Sequence, residues 1–78
     1  MHSVSIYSTP TCVYCRMAKK FFTENNVEYK EYDVANDQEK AVELFEKSGQ
    51  TGVPVIDIDG KIIVGFDRPA IREALGLA

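Results

Sequence analysis

The sequence predicts an α/β domain with the element order β-α-β-α-β-β-α, in which three helices flank a mixed four-stranded sheet. Short runs of alternating apolar residues are separated by segments with helical apolar spacing, the pattern of strand–helix–strand units. Such units favour a right-handed parallel crossover. Near the C-terminus, two β-branched runs flank Asp59-Gly60, the strongest short-range signal for an antiparallel hairpin. One parallel crossover and one hairpin together predict a mixed sheet.

The first strand and the first helix are separated by a proline. Residues 3–8 alternate between polar and apolar side chains, which predicts a strand. Pro10 ends this strand, and Thr11 is expected to cap the helix that follows. That helix is predicted over residues 13–25 from its apolar spacing. Its predicted apolar face consists of Tyr14, Ala18, Phe21 and Phe22.

The middle of the chain is predicted to form a second strand and a second helix. Residues 27–33 place Val and Tyr among charged residues and are assigned as a strand. Asn36 is expected to cap the next helix, because Glu39 three residues later completes a capping-box pattern. Gly49 is expected to end this helix. Its apolar stripe is predicted to consist of Ala41, Leu44 and Phe45.

The last third of the chain is predicted to form the hairpin and a third helix. The two β-branched runs, residues 53–58 and residues 61–64, give the paired strands. Asp67 can cap a final helix that carries Pro69 in its first turn. The residues of this helix that are predicted to face the core are Ile71, Ala74 and Leu75.

Length and charge restrict the class of protein. The 78 residues suit one small domain over residues 1–78, and the net charge of −3 gives no broad attraction to nucleic acid or anionic lipid. No apolar run approaches the roughly 18 residues of a membrane span. The first residues lack the cationic and apolar segments of a secretory signal. We therefore expect a cytoplasmic protein without nucleic-acid or membrane partners.

Cys12 and Cys15 form a C-x-x-C pattern, which in a cytosolic chain indicates redox chemistry or half of a metal site. Cys12 falls between a predicted strand and a predicted helix, where free N–H groups and the positive end of the helix dipole stabilise a thiolate. Arg16, one turn further along, adds positive charge. Cys12 is therefore the expected attacking sulfur. Cys15, inside the first turn and more sheltered, is the expected resolving sulfur.

Two other roles of the cysteine pair remain open from the sequence. Both thiols can be inert and buried. The pair can also contribute to a zinc site, but zinc normally takes four ligands and the chain offers two cysteines and one histidine, His2. Such a metal would have to be shared between two chains, so we expect no metal site within one chain.

Four segments carry a more specific signal: Ile6-Tyr7-Ser8, Thr11-Cys12-Val13-Tyr14-Cys15, Thr51-Gly52-Val53-Pro54-Val55 and Val64-Gly65-Phe66-Asp67. In this order they resemble the glutaredoxins, small members of the thioredoxin-fold superfamily, over essentially the whole chain. The resemblance implies a thioredoxin-like fold. It also implies that Cys12 is the nucleophile, with Cys15 as its partner.

The resemblance further implies a binding site around the cysteines. Pro54 would be cis and would set the backbone of Val53 opposite Cys12, where Val53 could pair with an extended substrate. The residues that would contact glutathione or substrate are Tyr14, Arg16, Thr51, Val53, Pro54, Gly65 and Asp67. Gly65 would allow close approach of a ligand or loop, and Asp67 would meet the amino group of glutathione. Without the resemblance, Tyr14 reads as a core aromatic, Pro54 as a strand-start proline and Asp67 as a helix cap alone.

The chain departs from the usual glutaredoxin pattern at three positions. Val13 stands where many members have proline, Thr9 where they often have lysine, and Phe66 where they usually have a second glycine. A glycine–phenylalanine pair near a proline is similar to the redoxins that donate electrons to ribonucleotide reductase and take electrons from thioredoxin reductase. The resemblance therefore leaves two candidate reductants, glutathione and thioredoxin reductase.

We expect a monomeric dithiol–disulfide oxidoreductase that reduces disulfide-containing or glutathionylated proteins. No bound prosthetic group is expected, and glutathione is the expected co-substrate. Two alternatives belong to other classes. One is a metal or iron–sulfur carrier that uses Cys12 from two subunits, and the other is a binding module that only inherits the fold.

Overall fold

A computed structural model describes residues 2–77 of the chain, and within them the seven elements follow the predicted order. The strands are β1 (Val4–Ser8), β2 (Lys30–Asp33), β3 (Val55–Ile58) and β4 (Lys61–Val64), and the helices are α1 (Val13–Glu24), α2 (Gln38–Ser48) and α3 (Arg68–Leu75).

The four strands form a mixed sheet in the order β2-β1-β3-β4. β1 and β2 are parallel and are joined through α1, whereas β1–β3 and β3–β4 are antiparallel. The β3–β4 turn has Asp59 and Gly60 at φ values of 53° and 90°, the left-handed pair that an Asp-Gly hairpin turn requires. The predicted fold class and hairpin are confirmed.

Helices cover both faces of the sheet. One face carries the main core, in which Val4 and Ile6 of β1 pack with Phe22 of α1 and Ile71 of α3. The opposite face carries a smaller cluster of Tyr7, Leu44 and Val55 under α2. Tyr7, an odd-numbered residue on the face of β1 opposite Val4 and Ile6, is fully buried because α2 covers that face.

The predicted start of β2 is too early. Asn26 adopts a left-handed backbone at φ 57°, and the N–H of Val27 donates to the carbonyl of Phe22 at 2.8 Å. These residues satisfy the carbonyls left free at the end of α1, as helix C-termini require. The chain therefore enters the sheet only at Lys30.

The predictions for α2 are correct at its end and wrong at its start. Gly49 ends the helix with φ 74°, as expected. The cap is Asp37 rather than Asn36, since the Asp37 carboxylate accepts the N–H of Lys40 at 3.2 Å. The Asn36 side chain instead donates to Asp33 at 2.7 Å. Phe45, predicted in the apolar stripe, is 47% exposed because α2 packs on the sheet mainly through Leu44.

The α3 helix begins as predicted. Asp67 is its cap and accepts the N–H of Ala70 at 3.2 Å, with Pro69 in the first turn. Ile71 and Leu75 are buried, and Ala74 is partly buried against the same core. None of the three helices described within residues 2–77 is both long and apolar enough to cross a membrane.

Candidate active site

Cys12 and Cys15 lie where the chain passes from β1 into α1. Residues 9–12 connect the two elements, and the N–H of Cys12 closes a turn onto the carbonyl of Thr9 at 3.3 Å. The two cysteines form a disulfide, with Cα atoms 5.2 Å apart, inside the ordinary range for such a bond. The pair therefore sits at the end of an interior strand of the sheet.

The sulfur of Cys12 caps α1. Its backbone is extended, at φ −81° and ψ 112°, and its Sγ accepts the N–H of Cys15 at 3.1 Å. The prediction that Thr11 caps the helix is wrong, because α1 begins at Val13 and the cap is the residue immediately before the first helical one. The sulfur thus contacts a free N–H group at the helix start, a position that stabilises a thiolate once the disulfide is reduced.

The two cysteines differ in exposure. Cys15 is 0% exposed, whereas Cys12 is partly exposed. An attacking sulfur must be reached by a substrate, but a resolving sulfur needs to reach only its partner. The first turn of α1 contains no acidic residue, and Arg16 is exposed in the following turn. This difference suits Cys12 to attack and Cys15 to resolve.

The sheet register places the Thr51–Pro54 segment beside the cysteine loop. Tyr7 pairs with Val55 in the antiparallel β1–β3 ladder, so the start of β3 lies next to the end of β1. The Val53–Pro54 peptide bond is cis, which confirms that expectation. Pro54 is buried, Val53 is partly buried and Thr51 is exposed. Neither the N–H nor the C=O of Val53 has a hydrogen-bond partner within residues 2–77, so both can bind a substrate backbone.

The β4–α3 connection reaches the same end of the sheet. Val64 pairs with Val55, and the N–H of Gly65 donates to the carbonyl of Pro54 at 2.8 Å. Gly65 has φ 83°, which L side chains rarely adopt, and apart from its two chain neighbours no described residue lies within 4 Å of where its Cβ would be. Backbone conformation therefore explains this glycine, and the close approach of a ligand or loop to it stays a prediction. Asp67 follows as the exposed cap of α3.

Tyr14 does not belong to the core. It is 61% exposed, so its predicted place on the apolar face of α1 is wrong. Cys15 takes the inward position of the first turn instead, ahead of buried Ala18 and Phe22 at helical spacing. Tyr14 and the adjacent Val13 are therefore exposed next to Cys12.

Phe66 packs against the core. It is partly buried, and its ring lies edge-on to that of Phe21 with centroids 6.1 Å apart. Packing therefore accounts for the phenylalanine that replaces the second glycine of the usual pattern.

One group of polar residues near the cysteines was missed from the sequence. Ser8 is buried, and its hydroxyl donates to Glu31 at 2.8 Å; Lys19 donates to the same carboxylate at 2.7 Å. The only signal in the sequence was a serine at an inward-facing strand position. Across residues 2–77, no cluster of three or more His, Cys, Asp or Glu side chains is placed to hold a metal ion.

Relatives of known sequence match nearly the whole chain. The glutaredoxin family model matches residues 4–63. An uncharacterised glutaredoxin-like 8.6 kDa protein from the rubredoxin operon of Clostridium pasteurianum is 44% identical over 92% of this chain and 96% of its own length. Glutaredoxin 3 of Escherichia coli (strain K12) is 37% identical over 97% of this chain and 92% of its own length.

Solved structures share the fold. A crystal structure of a variant thioredoxin-like protein superposes with a TM-score of 0.92, at 29% identity over 100% of both chains. The complex of buckwheat glutaredoxin with glutathione superposes with a TM-score of 0.76, at 26% identity over 96% of this chain and 71% of that one. Fold, cysteine pair and sequence agree, and the chain belongs to the glutaredoxin family of thiol–disulfide oxidoreductases.

Proposed function

We propose that this protein reduces glutathione mixed disulfides and protein disulfides, with Cys12 as the nucleophile and Cys15 as the resolving cysteine. The Cys12 thiolate attacks a substrate sulfur, forms a mixed disulfide and expels the first thiolate. The Cys15 thiolate then attacks Cys12, releases the second substrate thiolate and leaves the Cys12–Cys15 disulfide. A reductant restores the dithiol with two electrons.

The main support for these roles is the geometry of the Cys12 sulfur. Cys12 is partly exposed and its sulfur accepts a helix N–H at 3.1 Å, while Cys15 is 0% exposed. A thiol with an ordinary pKa near 8.5 is only about 3% ionised at neutral pH, so stabilising the thiolate raises the reactive fraction directly.

Glutathione is the proposed co-substrate. The free N–H and C=O of Val53 suit a short antiparallel pairing with an extended tripeptide, as in strand addition. Exposed Tyr14 and Arg16 flank the sulfur on α1, and the Asp67 carboxylate lies at the same end of the sheet. Thr51, two residues before Val53, and Gly65, bonded to Pro54, complete the proposed site.

Reduction by thioredoxin reductase is the less supported route. The glycine–phenylalanine pair was its sequence signal, and Phe66 already has a packing role against Phe21. We therefore propose glutathione as the physiological reductant. We also propose that the protein is cytoplasmic and monomeric and that residues 1–78 form one domain.

One pair of coupled assays tests this function. Oxidised protein is mixed with NADPH and either glutathione plus glutathione reductase or thioredoxin reductase alone, and NADPH oxidation is followed. We expect the glutathione system to reduce it faster. With a glutathionylated peptide as substrate, Cys12→Ser should abolish turnover. Cys15→Ser should keep this activity, because the thiolate of free glutathione can attack the Cys12 mixed disulfide, release Cys12 and leave as glutathione disulfide. The variant should lose reduction of intramolecular protein disulfides, which needs both thiols.

The outcomes separate the two parts of the proposal. Normal turnover in Cys12→Ser would refute the assignment of the nucleophile. Faster reduction by thioredoxin reductase than by glutathione, with both cysteine variants behaving as expected, would keep the mechanism and overturn only the choice of reductant.

A further inference from the structure

The ion pair of Lys19 and Glu31 and the buried hydroxyl of Ser8 meet beside α1, and Lys19 lies one helical turn from Cys15. Ser8, the last residue of β1, is 1% exposed, and its Oγ donates to Oε2 of Glu31 at 2.8 Å. Nζ of Lys19 donates to the same oxygen at 2.7 Å. These three residues link β1, β2 and α1, and the catalytic roles described above do not use them.

Helix and sheet geometry place this group next to the resolving cysteine. Cys15 and Lys19 are four residues apart in α1, so their side chains lie on one face, one turn apart, with Cβ atoms about 6 Å from each other. Glu31 pairs with Ile6 in the parallel β1–β2 ladder and projects from the sheet face that α1 covers, as Ser8 does.

Lys19 and Glu31 have opposite effects on the ionisation of a nearby thiol. A cation one turn from a thiol favours its thiolate, and a carboxylate disfavours it. Lys19 and Glu31 supply one charge of each sign, and Ser8 fixes the carboxylate with a second hydrogen bond. The other charged residues of these elements are Arg16, Lys20 and Glu24 on α1 and Lys30 and Asp33 on β2, and Asp67 lies at the start of α3.

We propose that Lys19 and Glu31 are positioning residues whose balance of charge sets how readily Cys15 loses its proton when it resolves the mixed disulfide. Lys19 promotes the Cys15 thiolate, and Glu31, held by Ser8, restrains it. This inference rests on the proposed function, because it takes Cys15 as the resolving cysteine.

A disulfide reagent separates the two chemical steps. Reduced protein is mixed rapidly with 5,5′-dithiobis(2-nitrobenzoate). The Cys12 thiolate breaks the reagent's S–S bond, forms a mixed disulfide and releases one thionitrobenzoate anion. Cys15 then loses its proton to water, and its thiolate forms the Cys12–Cys15 bond and releases the second anion. The first phase depends on reagent concentration and the second does not, so the pH profile of the second phase reports on Cys15.

Lys19→Gln and Glu31→Gln should change the rate and the pH midpoint of the second phase in opposite directions. Lys19→Gln should slow it about threefold below its midpoint and shift the midpoint to higher pH, and Glu31→Gln should do the reverse. If the pKa of Cys15 changes by about one unit, the rate changes about threefold rather than tenfold, because a more acidic thiolate is also a weaker nucleophile. The first phase should change by less than about twofold, because Cys12 is further from Lys19 along the helix. The effects should shrink at about 1 M salt, since Lys19 and Glu31 are partly exposed.

Two control variants each remove a charge of the same sign from a nearby exposed residue. Lys20→Gln changes the next residue of α1, which points about 100° away around the helix axis and is exposed. Glu28→Gln removes an exposed carboxylate just before β2. Both should leave the second phase as in the unmodified protein.

The results distinguish this inference from the function beneath it. A second phase that is unchanged in Lys19→Gln and Glu31→Gln, or slowed in both, would overturn the proposal, because loss of packing does not produce shifts of opposite sign. A single thionitrobenzoate per molecule in the unmodified protein would instead refute Cys15 as the resolving cysteine.

Discussion

The sulfur of Cys12 occupies the position where a serine, threonine or aspartate oxygen usually caps a helix. It accepts the N–H of Cys15 at 3.1 Å, so the same contact that completes the helix start also stabilises negative charge on the reactive atom. The spacing of two cysteines before a helical pattern was enough to locate this pair. The spacing did not identify the cap, because Thr11 is the better cap by residue type and only the backbone decides where α1 begins.

This contact predicts that Cys12 is an acidic thiol in the reduced protein. We expect the rate at which iodoacetamide alkylates reduced Cys15→Ser protein to follow a pH profile with a midpoint well below about 8.5. Each unit by which the pKa falls corresponds to about 1.4 kcal/mol in favour of the thiolate. An unfolded sample of the same variant supplies the free-thiol reference. A native midpoint equal to that reference would show that the helix start does not activate this sulfur.

At the scale of the elements, the caps and the hairpin turn follow strong local chemistry. Asp59-Gly60 and Asp67 were placed correctly, because left-handed turn residues and N-cap side chains act within a few residues. The start of α2 was misplaced because Asn36 and Asp37 are adjacent and both can cap. The Asn36 side chain donates to Asp33 at the end of β2 and is therefore not available as the cap. The sequence pattern did not predict this hydrogen bond.

The two proposed roles of Asp67 can be separated by two variants. Asp67→Ala removes the cap of α3 and should lower the free energy of unfolding by about 1 kcal/mol, measured by urea denaturation. Asp67→Asn keeps a side-chain oxygen for the N–H of Ala70 and should change stability by only a few tenths of a kcal/mol. It removes the charge, however, and should raise KM for a glutathionylated peptide. An unchanged KM in Asp67→Asn would limit Asp67 to capping, and an unchanged stability in Asp67→Ala would exclude the cap as a stabilising contact.

At the scale of the whole molecule, a polar network ties α2 to the sheet. The hydroxyl of buried Tyr7 donates to Glu43 and accepts from Lys47 at 3.0 Å. Lys47 also donates to Asp57 of β3 at 2.8 Å. Burial, together with the bond to Glu43, raises the pKa of Tyr7, and the bond to Asp57 raises the pKa of Lys47. The bonds from Tyr7 and Lys40 lower the pKa of Glu43, and the bond from Lys19 lowers that of Glu31.

These shifts predict a loss of stability on both sides of neutrality. The carboxyls of Glu31 and Glu43 bind protons less readily in the folded state, so their contribution is complete above the ordinary pKa of 4.5 and is lost as the pH falls through the folded values. Tyr7 and Lys47 hold their protons more tightly when folded, so their contribution is complete below the ordinary values of 10.0 and 10.5 and is lost as the pH rises past them.

Urea denaturation of the oxidised protein across this range tests the prediction. We expect a plateau between about pH 5 and pH 9, with lower free energies of unfolding outside it. Glu31→Gln should reduce the fall in the free energy of unfolding below about pH 5. Glu28→Gln, which removes an exposed carboxylate, should not. If the free energy of unfolding falls equally at low pH in the two variants, Glu31 does not contribute to the pH dependence.

The sequence by itself determined the order of elements, the mixed sheet, the hairpin and the reactive cysteine pair, because each depends on residues close together in the chain. Only the tertiary structure decided which faces are covered and which distant residues meet. It buried Tyr7 under α2, left Tyr14 exposed beside Cys12, bonded Gly65 to Pro54 and joined Ser8, Lys19 and Glu31 by hydrogen bonds. The physical reason is that strand register and helix docking set these contacts, and both are fixed by packing across the sheet rather than by neighbours along the chain.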